Sequence, residues 1–70
     1  MGVIFEALEN VLPYITNIEK MKNILRDCDK CEDAIKYLED EIAKANDVTI
    51  KTDLRIVLNE VLRMCRKFHT

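Results

Sequence analysis

Apolar residues in the last third of the chain recur at steps of three and four, the spacing that places side chains on one face of an α-helix. Between residues 50 and 68 this pattern predicts a helix with a single apolar stripe. Asp47, Thr49 and Thr52 are each possible N-caps for this helix. The stripe consists of Ile50, Leu54, Val57, Val61, Met64, Cys65 and Phe68, widened by Leu58 and Leu62.

The middle of the chain shows the same spacing and predicts a second helix over residues 30–45. Residues 46–47, Asn and Asp, separate it from the last helix. The apolar face of this second helix would comprise Cys31, Ala34, Ile35, Leu38, Ile42 and Ala45.

The first segment, residues 3–28, carries the longest apolar pattern, but Pro13 lies inside it. Proline removes one helical hydrogen bond and clashes with the preceding turn, at a cost of about 3 kcal/mol. Because the apolar spacing continues in phase beyond Pro13, we predict one kinked helix in preference to two separate ones. Lys22 stands where this spacing calls for an apolar residue. The apolar positions are Ile4, Leu8, Val11, Ile15, Ile18, Leu25 and Cys28, with Met21 and Ile24 beside them.

Short connections between helices make neighbouring helices antiparallel. The sequence therefore predicts an all-α fold, a three-helix antiparallel (up-down-up) bundle that forms a single domain over residues 1–70, with helices at about 3–28, 30–45 and 50–68. At 1.5 Å per residue the first helix would be longer than its neighbours by about 10 Å or more.

This length difference predicts an exposed apolar overhang, which is typical of an interaction surface. We expect the overhang to pack against another chain, most simply the same segment of a second copy in a symmetric dimer. In the alternative, Pro13 turns the segment back over the other helices and it completes the protein's own core. The partner-binding residues would be Val3, Ile4, Phe5, Leu8, Val11 and Leu12.

Three cysteines and the single histidine form a candidate metal site. Cys28 and Cys31 have C-x-x-C spacing, and an up-down-up topology brings them to the same end of the bundle as Cys65 and His69. Such a set suits tetrahedral zinc. We expect instead that the cysteines are buried, unligated small apolar residues, with a disulfide from Cys65 to Cys28 or to Cys31 as a further alternative. No other cofactor is predicted.

Composition narrows the class of protein. The chain has 70 residues, 49% of them apolar and 34% charged, which excludes a disordered or fibrous chain. No apolar run is long enough to span a membrane, and no signal peptide is evident. An odd number of cysteines suggests a reducing compartment, so we predict a cytoplasmic location.

The net charge of −2 is unevenly distributed: residues 1–28 carry −1, residues 29–47 carry −4 and residues 48–70 carry +3. We expect the acidic and basic segments to pair with each other, which argues against nucleic acid as a partner. A small DNA-binding regulator remains an alternative, because Lys51 and Arg55 lie near the start of the last helix of a helix-turn-helix-like pair.

Catalysis finds little support in this sequence. The chain has no serine, no glycine-rich loop and one histidine near its end, and a bundle of this size is expected to be too small for a ligand pocket of several hundred Å³. We therefore predict a non-enzymatic interaction, regulatory or adaptor module, self-associating through its N-terminal helix. A zinc-stapled module is the remaining alternative.

Overall fold

The computed structural model describes residues 2–28 and 30–68, with the backbone alone for residues 67 and 68, and these residues form four α-helices without any strand. The all-α class is confirmed, whereas the predicted number of three helices is wrong. In chain order the helices are α1 (Val3–Val11), α2 (Ile18–Leu25), α3 (Cys31–Lys44) and α4 (Val48–Phe68), and a short 3₁₀ helix (Leu12–Tyr14) follows α1.

The single kinked helix predicted for residues 3–28 is therefore wrong, because the chain leaves the helical path at Pro13. Proline fits the beginning of the 3₁₀ helix, where its missing N–H is not needed. Ile15 then adopts extended backbone, with φ −110° and ψ 156°. The alternative of two separate helices is the one that the structure contains.

A buried carboxylate on α4 holds the corner between α1 and α2. Asp53 is 2% exposed. Each of its oxygens accepts a hydrogen bond from the backbone N–H of Thr16, at 3.1 Å. Its Oδ2 also accepts from the backbone N–H of Asn17 at 2.7 Å and from the Asn17 side-chain amide at 3.0 Å. Because Asn17 makes no capping bond of its own at the start of α2, Asp53 supplies the acceptor there.

The two later helices agree with the sequence prediction. α3 covers residues 31–44, one residue shorter at each end than predicted. α4 begins at Val48, two residues earlier than predicted, because Asp47 caps it: the Asp47 carboxylate accepts a hydrogen bond from the backbone N–H of Thr49 at 2.8 Å.

The core forms where α1 and α3 both pack against α4. α4 is thus the central element, and α2 contributes Met21, Ile24 and Leu25 to the core. The buried apolar residues are Ile4, Ala7, Leu8, Val11, Ile15, Met21, Ile24, Leu25, Cys28, Ala34, Leu38, Leu54, Val57, Val61, Met64 and Cys65.

The predicted overhang of the first helix does not exist in this fold. Because the chain reverses after Val11, α1 lies against α4 and its own apolar stripe enters the protein's core. Ile4 and Leu8 are 3% and 2% exposed, whereas Phe5 is 46% exposed. Most of the apolar surface that we expected to bind a partner is therefore buried within the protein itself.

A polar cluster joins α1 to α4 at the edge of the core. The Asn10 amide donates to Glu60 Oε2 at 2.9 Å. The Arg63 guanidinium donates to both oxygens of Glu60, at 3.0 and 2.6 Å. The Arg63 hydrogen bonds first, and the Asn10 hydrogen bond second, lower the pKa of Glu60 below its usual value.

Replacement of Asp53 by Asn should lower the free energy of unfolding by about 2–3 kcal/mol, because one of the two acceptor oxygens becomes an NH2 group, which cannot accept from the N–H donors of Thr16 and Asn17. Urea denaturation of wild type and Asp53→Asn measures the effect. Asp27→Asn removes the same charge from an exposed position and should change stability by less than about 0.5 kcal/mol. Equal stability of the two variants would show that Asp53 does not hold the corner.

Glu60→Gln should be less stable than wild type at neutral pH by up to about 1 kcal/mol, the value of a partly exposed ion pair. A lowered pKa means that the folded state favours ionised Glu60, so this contribution exists above the usual glutamate pKa of 4.5 and is lost as the pH falls below it. Urea denaturation from neutral pH to pH near 3 should show the difference disappear. A difference that stays constant over this range contradicts the electrostatic explanation.

Candidate functional site

An open groove of about 430 Å³ lies between α1 and α2. Its existence depends on the reversal after Val11, which brings two separate helices side by side. The groove is lined by Gly2, Ile4, Phe5, Leu8, Glu19, Lys22, Asn23, Leu25, Arg26 and Cys28.

The groove combines an apolar lining with charged residues. Ile4, Leu8 and Leu25 are buried, while Phe5 is the large apolar side chain that the groove leaves half-exposed. The charged residues all come from α2 and the turn after it: Glu19, Lys22 and Arg26, each exposed. An apolar centre with a polar rim is the usual organisation of a protein-binding surface.

The six residues predicted to bind a partner lie in two different places in this fold. Ile4, Phe5 and Leu8 line the groove. Val11 is in the core, and Val3 and Leu12 are half-buried against it. These six residues therefore do not form one exposed face, because α1 turns most of them toward α4.

Sequence reasoning missed the second wall of the groove, formed by Glu19, Lys22, Asn23 and Arg26. The one signal available was Lys22, which interrupts the apolar spacing. A charged residue at that position is exposed here because α2 is a separate helix with its own orientation. The expectation that so small a bundle has no room for a pocket of several hundred Å³ is also wrong, since the groove reaches that size as an open cleft.

Cys31 and Cys65 form a disulfide bond that links the first residue of α3 to the last turns of α4. Their sulfurs lie 2.10 Å apart and their Cα atoms 6.1 Å apart. This is one of the two pairings considered from the sequence, and it corrects the expectation that these two cysteines are unpaired. Cys28 is buried, with its sulfur 3.6 Å from the carbonyl oxygen of Ile24, and it lines the groove.

The structure does not bring the four candidate zinc ligands together as one site among the described residues. Cys31 and Cys65 are bonded to each other, a state in which neither sulfur is the thiolate that zinc requires. His69 lies outside the described residues. Within the described part of the chain no three His, Cys, Asp or Glu side chains form a group suited to a metal ion. Zinc binding by Cys28, Cys31, Cys65 and His69 remains an untested alternative.

The acidic and basic segments do not pair as expected. In the described residues the ion pairs are Lys44–Asp40 at 2.9 Å and Arg63–Glu60 at 2.6 Å, and each lies within a single helix. No ion pair among these residues joins α3 to α4. The opposite charges of the two segments therefore make no direct ion pair with each other among these residues, and Arg55 remains exposed on α4.

None of the helices in the described residues is both long and apolar enough to cross a membrane.

Reduction of the Cys31–Cys65 disulfide should lower the free energy of unfolding by about 3–4 kcal/mol, because the bond closes a loop of 34 residues and restricts the unfolded chain. Urea denaturation with and without a thiol reductant measures this loss. Cys65→Ala should abolish the effect of the reductant, whereas Cys28→Ala should retain it. A reductant effect that persists in Cys65→Ala would contradict this pairing.

The comparisons with known proteins place the chain in a family. The model of the MJ1579 family matches residues 2–65. A relative from Methanocaldococcus jannaschii, described as the uncharacterized protein MJ1579, is 35% identical over 52 residues, which are 74% of this chain and 74% of the relative. No solved structure matches the chain. The extent of the family match, across α1, α2 and α3 and most of α4, shows that the chain belongs to the MJ1579 family.

Proposed function

We propose that this protein is a small non-enzymatic interaction module that self-associates through the groove between α1 and α2. The observation that carries the proposal is Phe5: a large aromatic side chain, 46% exposed, beside an apolar groove of about 430 Å³. In this hypothesis the contact surface is the N-terminal helix together with the exposed side of α2, and a protein chain is the partner.

The energetics of Phe5 favour a partner that covers it. Burial of apolar surface contributes about 25 cal/mol per Å², and aromatic residues that enter apolar pockets supply much of the binding energy at protein interfaces. The open shape of the groove suits an apolar side chain from another chain. The acidic and basic residues at the rim of the groove suit a partner surface that also carries charges of both signs.

The charge order along α2 supports a second copy as that partner. Glu19 lies near the start of α2 and Arg26 directly after its end, and both side chains are exposed. A two-fold axis across α2 places the Glu19 of one copy opposite the Arg26 of the other, because the two helices then run antiparallel. The same surface is thus complementary to itself, with Phe5 able to enter the groove of the opposite copy.

Such a module suits a regulatory or adaptor role, and we propose that it acts in the cytoplasm. Association through one groove of this size should be weak and reversible, since stable interfaces bury about 800 Å² on each partner. That area is about one sixth of the 4951 Å² accessible on this chain. Reversibility is what a regulatory subunit requires.

Phe5→Asp should weaken self-association at least tenfold, because it places a charge in the apolar centre of the interface. Sedimentation equilibrium over the micromolar to millimolar range measures the dissociation constant. Tyr37→Asp on α3 is the matched control, since Tyr37 is 42% exposed and does not line the groove. Leu8 is unsuitable for this test, because an Asp at this buried position should unfold the protein.

The same measurement tests the two-fold arrangement. Glu19→Arg and Arg26→Glu should each weaken the dimer, and the double variant should recover it, because the charges oppose each other again. Wild type that is monomeric at the highest concentration overturns self-association. A dimer that Phe5→Asp and Tyr37→Asp affect equally overturns the assignment to the groove.

A further inference from the structure

The outward face of α4 carries cations and no acidic residue. With 100° per residue, six of its basic and neutral polar side chains occupy a sector of about 120° around the helix, and Thr49 lies about 40° outside this sector. Of the two acidic residues of α4, Asp53 is buried and Glu60 has a side chain that is 14% exposed. The cationic face comprises Lys51, Thr52, Arg55, Asn59, Arg63 and Arg66.

Most of these cations have no ion-pair partner among the described residues. Among the described residues Arg63 pairs with Glu60, whereas Lys51, Arg55 and Arg66 take part in no ion pair. Arg55 and Arg66 are exposed and Lys51 is half-buried. The cations extend over about 22 Å of helix, at 1.5 Å per residue from Lys51 to Arg66. A row of unpaired cations of this length fits an extended polyanion.

We propose that the cationic face of α4 binds duplex DNA, with the helix lying in the major groove and its arginines contacting backbone phosphates. The major groove of B-form DNA is about 12 Å wide and admits one α-helix. Three of the four cations are arginines, whose planar guanidinium groups bind phosphate oxygens in pairs. Thr52 and Asn59 supply neutral hydrogen-bonding groups between them, of the kind that contact phosphates and base edges.

The composition of the face favours DNA over a membrane surface. A helix that lies on a membrane needs large apolar side chains beside its cations. Here the apolar residues within the face are Val48, which is 78% exposed at the first position of α4, and Leu62, which is half-buried. Ile56 and Leu58 border the face and are also half-buried. The rest of the face is polar and does not supply an apolar layer.

This proposal differs from the helix-turn-helix alternative. That alternative used only the cations in the first turns of the last helix, whereas the cationic face extends along α4 from Lys51 to Arg66. It also revises the expectation that argued against nucleic acid as a partner. That expectation assumed pairing between the acidic and basic segments, and the described ion pairs lie within single helices. The net charge of −2 keeps the affinity low. The phosphate contacts make the binding strongly dependent on salt, because each one releases counterions from the DNA.

The DNA-binding face is independent of the groove, since no residue of α4 lines the groove. Fluorescence anisotropy with a labelled random-sequence DNA duplex, at low salt and then over a salt titration, tests it. Wild type should bind with a log–log salt slope of about −3 to −4, because each phosphate contact contributes about −0.9.

The variant Arg55→Gln/Arg66→Gln should bind at least tenfold more weakly and reduce the magnitude of the slope by about 2. The control Lys20→Gln/Lys36→Gln has the same net charge, with both substitutions at exposed positions of α2 and α3, and should stay within about twofold of wild type. Circular dichroism verifies that both fold.

Three results would overturn the proposal: no binding by wild type at low salt, equal loss in the two double variants, or binding to phosphatidylglycerol vesicles without binding to the duplex. Binding that survives in Phe5→Asp supports a DNA site separate from the groove. Loss of DNA binding in Phe5→Asp, with its fold intact, overturns the assignment to α4 alone.

Discussion

The carboxylate of Asp53 accepts hydrogen bonds from the backbone and side chain at residues 16–17, and this contact fixes the path of the N-terminal third of the chain. Pro13 ends the helical hydrogen bonding, but it does not determine where the chain goes next. The tie to α4 directs α2 away from the line of α1 and allows α1 to lie on α4. The groove between α1 and α2 follows from this corner, and so does the burial of Leu8 in the protein's own core.

α4 serves as the common support of the other helices. One face buries Leu54, Val57 and Val61 against α1 and α3. Two kinds of long-range link secure it: polar contacts from Asp53 and Glu60 to the N-terminal part, and the Cys31–Cys65 disulfide to α3. A chain of this size buries only about 60% of the surface that its unfolded form exposes, so such links matter more here than in a larger domain.

The two proposed surfaces differ in chemistry and in origin. The groove is apolar with charges of both signs at its rim, which suits a protein partner and, through the order of Glu19 and Arg26, a second copy. The outer face of α4 is cationic and polar, which suits a phosphate backbone. Membership of the MJ1579 family assigns neither activity. The combination of a self-complementary groove and a cationic helix is consistent with a small regulator that binds DNA as a dimer.

The sequence by itself determined the all-α class and the positions of α3 and α4, because apolar spacing and the Asp47 cap act within a few residues along the chain. It also located the cations of the last helix. Only the tertiary structure decided whether the segment around Pro13 is one helix or two, since apolar spacing stays in phase across the break and the deciding contact, from Asp53, comes from 36–37 residues away. The tertiary structure also decided three further features: the pairing of Cys65 with Cys31, the second wall of the groove, and the absence of ion pairs between α3 and α4 among the described residues. Each depends on how helices are placed in space, and periodicity along a chain carries no information about that placement.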